Sequence, residues 1–207
     1  MNRSIFLYRV LLFAAGIAGI VLQVLDDGAG MFMYYTILSN LLVVLFLGYM
    51  LVKKGRLSDP DIRSKDGVAM AILITCVVYH FMLAPTAKAK DYYNIENFIC
   101  HYILPLGFIV DSLFFDRVAT KKTDPVSWSV FPVAYFIFAL MNGLFLHIPI
   151  PGRKNFYPYF FVDVDRMGLM KVLMFCMVIL IVYIVTGYLY SALKSLIHSR
   201  ITRKISN

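Results

Sequence analysis

The sequence predicts an all-α, polytopic membrane protein, and two observations support this prediction. The 207 residues are 60% hydrophobic and 15% charged, with a mean hydropathy of +0.75, values that a soluble domain with a polar surface hardly reaches. Six apolar runs cover residues of about 5–25, 31–52, 68–84, 98–115, 130–148 and 169–193. All of them except the short third run are clearly long enough to cross a hydrocarbon core of about 30 Å as helices. We therefore expect one six-helix transmembrane bundle.

Basic residues predict the orientation of this bundle, because Lys and Arg accumulate in cytoplasmic loops. With the N-terminus inside, the inner segments carry thirteen basic residues, and the outer segments carry five: Lys88, Lys90, Arg153, Lys154 and Arg166. Both termini are therefore expected to be cytoplasmic. The formal net charge of +8 is then explained by topology and by anionic inner-leaflet lipid, so that no nucleic-acid partner is needed.

Polar side chains collect near the predicted outer ends of the helices. The stretch "FMYYTILSN" places Thr36, Ser39 and Asn40 at the start of the second helix. Thr36 and Asn40 share a helical face, and lipid offers them no hydrogen bonds, so this face should point into the bundle. His101 lies at a similar depth in the fourth helix and Asn142 somewhat deeper in the fifth, while His80 and His147 fall at helix ends. The outer half of the bundle is thus expected to be polar and rich in histidine.

Two charges lie in the inner half of the bundle instead. Asp111 follows His101 by ten residues and so lies about 15 Å further along the same helix, too far to orient the imidazole. Arg9 enters the first helix to a similar depth, and each charge would be costly without a partner. We expect a structural ion pair between them. The alternative is that Arg9 extends to the headgroups while Asp111 is protonated or hydrated.

The last outer loop alternates aromatic and acidic residues in "FYPYFFVDVD", which includes Tyr159. Such a stretch is typical of an aromatic belt at the membrane interface. It also fits a lid over a lipid-sized cleft.

Three functions fit the outer polar cluster. A metal site would use His80, His101 and His147 with Asp163 or Asp165, but no two histidines have the i, i+3 or i, i+4 spacing of a helical ligand pair. A transporter of small molecules or lipids would use Asn40, Asp111 and Asn142 as a polar path, although no internal repeat supports it. A hydrolase would use the Thr36 hydroxyl as nucleophile and His101 as general base, and this chemistry requires neither a metal nor another cofactor.

The segments "YYTILSN", "HYILPLGFIVDSLFF" and "YPYFFVDV" resemble the pattern of the androgen-induced-protein family of multipass membrane proteins and its prokaryotic relatives. Eukaryotic members of that family are threonine hydrolases that cleave fatty acid esters of hydroxy fatty acids. The resemblance implies six helices, Thr36 as the nucleophile and His101 as its base. It also implies a lipid or fatty acyl ester as the substrate and a bacterial plasma membrane as the location.

Several residues are candidates to support this pair or to bind substrate. Asn40 either positions the base, holds a water molecule or bonds a neighbouring helix, and Asn40, Asn142 and backbone groups near Pro105 are possible oxyanion donors. Pro105 cannot donate to the His101 carbonyl four residues earlier, so a kink is expected there. The full supporting set comprises Asn40, Ser39, Asn142, His80, His147 and Tyr159.

Overall fold

The computed structural model describes residues 2–87 and 92–206, and it contains helices but no strand within those ranges. Six helices are long and apolar enough to cross a membrane, which confirms the predicted all-α architecture. They are α1 (Arg3–Asp27), α2 (Tyr35–Val52), α3 (Asp59–Leu83), α4 (Ile95–Phe114), α5 (Asp124–Leu146) and α6 (Leu169–Ser206). Lys88 and Lys90, which the orientation count includes, lie outside the described residues.

The third helix begins nine residues before its predicted start, at Asp59 instead of residue 68. Ser58 and Asp61 form a capping box in which the Ser58 side chain accepts from the Asp61 amide and the Asp61 carboxylate accepts from the Ser58 amide. Pro60 suits the first turn, where its missing N–H costs nothing. The charged segment that looked like a loop is therefore helical, and α3 is 25 residues long.

The other helices differ from the predicted runs at their ends. The second helix begins at Tyr35 because Ala29–Met33 forms a 3₁₀ turn after α1. The fifth begins at Asp124 and is interrupted by a turn at residues 128 and 129. The sixth continues to Ser206 instead of ending near residue 193.

Three helices contain one π turn each, at Tyr79–Leu83, Ile99–Ile103 and Asn142–Leu146. All three turns lie where α3, α4 and α5 approach the end of the bundle opposite the chain termini. We call this the distal end and the other the terminal end. A π turn contains an extra residue and breaks the regular hydrogen-bond ladder, and such turns occur often at functional sites.

Two hydrophobic clusters hold the bundle together. The larger joins α1, α2, α3 and α4 around Leu47, Ile72 and Phe108. Close approach of α1 depends on glycine, since a Cβ at Gly16 would lie 2.6 Å from Val44 and one at Gly19 would lie 2.6 Å from Ile99. The smaller cluster is aromatic and joins α2 and α5 to the loop before α6 at the distal end.

Candidate active site

Thr36 is the second residue of α2 and is buried. The residue just before the helix, Tyr34, has an extended backbone, and the first bond of the helix runs from the Leu38 amide to the Tyr34 carbonyl. The amides of the first helical turn have no carbonyl partner within the helix, and the positive end of the helix dipole lies among them. The Thr36 hydroxyl therefore lies beside a source of positive potential.

The imidazole of His101 faces this hydroxyl. Its Nε2 lies 3.4 Å from Thr36 Oγ1, and its Nδ1 lies 3.1 Å from the backbone carbonyl oxygen of Asn97. A carbonyl oxygen only accepts hydrogen bonds, so Nδ1 must carry the ring proton. Nε2 then presents its lone pair to Thr36. This is the tautomer that a general base needs.

Tyr79 from the π turn of α3 covers the His101 ring, and the two rings stack with their centroids 3.7 Å apart. His101 is only 6% exposed. Stacking and burial together hold the imidazole in one plane.

Asn40 joins the segments that carry Thr36 and His101. Its Nδ2 donates to the Thr36 carbonyl at 2.7 Å and to the Cys100 carbonyl at 3.0 Å. Ser39 donates its hydroxyl proton to the same Thr36 carbonyl. It therefore accepts the 2.7 Å hydrogen bond from the Thr75 hydroxyl of α3. Asn40 therefore bonds a neighbouring helix, which was one of the expected alternatives, and both of its amide protons are engaged.

Tyr159 approaches Thr36 from the loop between α5 and α6. Burial raises the pKa of the Tyr159 hydroxyl, and hydrogen bonding to the Thr36 side chain and to the backbone of Thr36 and Tyr35 only partly offsets this effect. The Tyr159 ring also meets the Tyr34 ring edge-on, with their centroids 5.8 Å apart, so Tyr159 lies beside the start of α2.

A cavity of about 450 Å³ opens beside Thr36 between α2, α3, α5, α6 and the loop that carries Tyr159. Most of its lining is aliphatic or aromatic, and the hydroxyls of Thr36, Thr75 and several tyrosines are its polar groups. His101 does not line the cavity but lies behind Thr36 and Tyr79, which do. A long apolar group in the cavity would thus meet one hydroxyl that is backed by an imidazole.

Three other residues of the predicted supporting set do not line this cavity. His80 is exposed and its Nδ1 lies 3.2 Å from the Tyr102 hydroxyl. His147 is also exposed, and its ring packs against Phe156. Asn142 is buried, but its Nδ2 donates to the carbonyls of Ile148 and Phe156 and so fixes the following loop. The expected outer cluster is therefore divided. Thr36, Ser39 and Asn40 lie together with His101, whereas His80, His147 and Asn142 lie apart from them.

The two alternative functions gain no support from this geometry. Among the described residues there is no group of three or more His, Cys, Asp or Glu side chains that could hold a metal ion. Asn40, Asp111 and Asn142, which a transporter would use as a polar path, do not line the cavity. Each of them bonds within a separate network.

A buried charge network occupies the terminal half of the bundle. Arg9 pairs with Asp111, with Nε 2.8 Å from Oδ2, as the sequence led us to expect. The network is larger than that pair, because Arg9 also reaches Asp116 at 2.6 Å and Lys65 contacts both aspartates. A second pair joins Lys194 of α6 to Asp66 of α3 at 2.6 Å. These contacts tie α3 and α4 to α1 and α6.

Sequence reasoning missed four residues that shape the site or the network. Asn97 precedes His101 by four residues, and this one-turn spacing was the available signal for a carbonyl that orients the ring. Tyr79 had no comparable signal, because its stacking depends on how α3 meets α4. Lys65 and Lys194 looked like loop and tail charges but are almost completely buried in ion pairs.

Comparisons of this chain with protein-family models, with curated proteins and with solved structures gave no match.

Proposed function

We propose that this protein is an intramembrane lipid-ester hydrolase in which Thr36 is the nucleophile and His101 the general base. One observation carries the proposal. The Asn97 carbonyl holds the proton on Nδ1, so the free Nε2 faces the Thr36 hydroxyl at 3.4 Å beside an apolar cavity. The distance is slightly long for a hydrogen bond, as is common for catalytic pairs without substrate. The resemblance to the androgen-induced-protein family supports the same two residues.

The reaction would proceed through an acyl-threonine. Thr36 Oγ1 attacks the ester carbonyl carbon while its proton moves to His101 Nε2, which gives a tetrahedral oxyanion. The intermediate collapses, the bond to the alcohol oxygen breaks, and that oxygen takes the proton from Nε2. A water molecule then attacks the acyl-threonine, gives one proton to Nε2, and the carboxylic acid leaves as Thr36 regains its proton. The Asn97 carbonyl keeps the ring oriented while Nε2 is protonated.

The cavity supports a fatty acyl ester as the substrate class. Its lining is almost wholly apolar, which favours a hydrocarbon chain over a sugar or a peptide. Fatty acid esters of hydroxy fatty acids, the substrates of the eukaryotic family members, have this chemistry. An acyl chain could enter from the bilayer, so the protein needs no aqueous channel.

We further propose that the site belongs to the outer leaflet of a bacterial plasma membrane, with both termini cytoplasmic. Lys65 and Lys194, two of the thirteen basic residues on the inner side of the count, are buried in ion pairs and carry no information on topology. The eleven that remain still exceed the five on the other side. The excess of basic residues therefore continues to favour this orientation.

Labelling with an alkyl fluorophosphonate and cleavage of a long-chain fatty acyl ester by purified protein in detergent test the proposal together. Thr36→Ala should abolish both signals, and Thr36→Ser should retain part of each because it keeps an attacking oxygen. His101→Ala should lower the cleavage rate by about 10²–10⁴-fold, the usual contribution of a general base.

Two matched variants serve as controls for this experiment. Thr75 lines the same cavity, but its hydroxyl bonds Ser39, so Thr75→Ala should keep most of the activity. His80 is an exposed histidine of the same end of the bundle, and His80→Ala should behave in the same way. Labelling that persists in a folded Thr36→Ala protein would refute the assignment of the nucleophile.

A further inference from the structure

The proposed reaction needs a hydrogen-bond donor for the oxyanion, and the two asparagines expected as donors are already engaged. Both amide protons of Asn40 go to carbonyl oxygens, and so do both amide protons of Asn142. The Tyr35 hydroxyl donates to the Ala71 carbonyl at 3.1 Å, and the Tyr135 hydroxyl donates to the Met33 carbonyl at 2.9 Å. The donor must therefore come from another group at Thr36.

Tyr159 is such a group. Its side chain lines the cavity together with Thr36. Its ring meets the rings of Tyr34 and Tyr135, with centroids 5.8 and 6.4 Å apart, which places it at the start of α2. Within the described residues the Tyr159 hydroxyl donates no hydrogen bond to a carbonyl oxygen, whereas the Tyr35 and Tyr135 hydroxyls each do. The Tyr159 proton is thus free to turn from the neighbouring hydroxyl oxygens toward a carbonyl oxygen that arrives at Thr36.

The ring of Tyr159 is held firmly enough to aim that proton. It stacks in parallel with the Phe161 ring, with their centroids 5.1 Å apart, and meets the Tyr34 ring edge-on at 5.8 Å. Tyr34 is itself anchored by a 2.6 Å hydrogen bond from its hydroxyl to the Pro151 carbonyl. Tyr159 is only 7% exposed. A donor that is fixed before the reaction costs little reorganisation when charge develops on the substrate.

We propose that the Tyr159 hydroxyl is the oxyanion donor of this site, binding the carbonyl oxygen of a fatty acyl ester while Thr36 attacks. The assignment rests on the proposed hydrolase function. The loop before α6 is then part of the catalytic machinery as well as a cover for the cavity.

No proton leaves Tyr159 in this scheme. Burial raises the pKa of its hydroxyl, so the phenol is protonated at neutral pH. The proton of Thr36 moves to His101 Nε2, as in the proposed mechanism, and Tyr159 only donates a hydrogen bond. The negative charge forms on the former carbonyl oxygen and is lost when the tetrahedral intermediate collapses.

Tyr159→Phe removes the donor and keeps the ring. Its kcat for a long-chain fatty acyl ester should fall by about 10²–10³-fold, the usual effect of losing one oxyanion donor. Its KM should change little, because the bond forms mainly in the transition state. Tyr157→Phe is the matched control, since Tyr157 belongs to the same loop, is fully buried, and its hydroxyl has no hydrogen-bond partner among the described residues.

A second measurement separates a catalytic role from a structural one. An alkyl trifluoromethyl ketone forms a tetrahedral adduct with an attacking hydroxyl, whereas the matching fatty alcohol binds only through its chain. Tyr159→Phe should weaken the binding of the ketone by at least tenfold and leave the binding of the alcohol unchanged.

If Tyr159→Phe does not fold, 3,5-difluorotyrosine at position 159 keeps the ring and hydroxyl but has a more acidic phenol. Its kcat should then fall at alkaline pH, where wild-type activity persists.

The outcomes for Tyr159 and for the hydrolase function are distinguishable. Equal kcat in wild-type, Tyr157→Phe and Tyr159→Phe proteins, or a difluorotyrosine pH profile that matches wild type, would overturn the oxyanion assignment while the Thr36 and His101 results stand. If Tyr159→Phe weakens the binding of the ketone and of the alcohol equally, the oxyanion assignment is also overturned, because Tyr159 would then only shape the cavity. Wild-type protein that neither cleaves the ester nor reacts with the fluorophosphonate would overturn both proposals.

Discussion

Neutralising Asp111 should destabilise the bundle strongly, because this carboxylate balances two buried cations. Arg9 Nε lies 2.8 Å from its Oδ2, and Lys65 contacts its other oxygen. All three side chains are at most 1% exposed. Asp111→Asn would leave Arg9 and Lys65 to share the single charge of Asp116. Removing one partner of a buried pair costs about 3–5 kcal/mol, which corresponds to a loss of roughly 6–20 °C in Tm for a chain of this size.

A double variant tests whether charge balance is the cause. Lys65→Met together with Asp111→Asn removes one charge of each sign and leaves Arg9 paired with Asp116 at 2.6 Å. The double variant should lose less stability than the two single variants added together, by about 0.5–3 kcal/mol. Thermal melts in one detergent measure the stability of the two single variants and the double variant. Lys121→Met, at an exposed lysine, is the control and should change stability by less than about 0.5 kcal/mol. Additive losses would refute the reasoning from charge balance.

The same geometry explains why a simple exchange of charges is a poor test of the Arg9 pair. Arg9→Asp with Asp111→Arg would restore an isolated ion pair. In this network the new cation would lie beside Lys65, and the new anion would lie beside Asp116. We therefore expect the exchanged protein to remain destabilised even though the pair exists.

Three further predictions concern the loop, the topology and pH. Gly143→Ala should lower Tm, because its Cβ would lie 1.8 Å from the Tyr157 ring, and such overpacking costs about 1–3 kcal/mol or more; an unchanged melt would contradict this packing. With the three native cysteines replaced, a membrane-impermeant maleimide added to intact cells should label Lys154→Cys but not Arg56→Cys, both at solvent-accessible positions, and the reverse pattern would place the site on the cytoplasmic side. Burial disfavours the ionised form of Asp116, but nearby Lys65 and Arg9 outweigh this effect and hold the pKa of Asp116 below its ordinary value. The stability that this carboxylate contributes is therefore present above the unfolded pKa of about 3.9. Thermal melts should show its loss as the pH falls below that value.

The six helices could be predicted because each has a long apolar run, whereas the start of α3 could not. Lys65 and Asp66 are charged neighbours, a pattern typical of a loop. Their partners lie 46 and 128 residues away in Asp111 and Lys194, and no local pattern contains that information. Burial in paired form makes the helix possible, since a buried charge is tolerated when it is bonded.

The candidate site was predictable to the extent that it depends on residue type and helical spacing. Thr36 and His101 were candidates because polar side chains within apolar runs must find bonds inside the bundle, and the family resemblance favoured this pair. His80 and His147 have the same residue type but lie exposed at helix ends. Depth along a helix does not reveal which face a side chain occupies when a π turn shifts the register nearby. The contacts of Tyr79 and Tyr159 depend on tertiary packing alone.

The π turn of α4 explains why Asn40 can join the Thr36 segment of α2 to the His101 segment of α4. We expected Pro105 to leave the His101 carbonyl without a donor, as it would in a regular α-helix. In this turn the Leu104 amide bonds the Ile99 carbonyl, so the next amide in the same register belongs to Pro105, which has no N–H. The Cys100 carbonyl therefore lacks its donor within the helix, and Asn40 Nδ2 supplies one at 3.0 Å.

The same Asn40 amide group bonds the Thr36 carbonyl at 2.7 Å. One side chain thus links the backbone of Thr36 to the backbone of Cys100, the residue just before His101. A leucine or alanine at position 40 would remove this link and leave the buried Cys100 carbonyl without its donor from α2. Pro105, the π turn of α4 and Asn40 therefore act together to set the spacing between Thr36 and His101, and neither of those two side chains has to hold it.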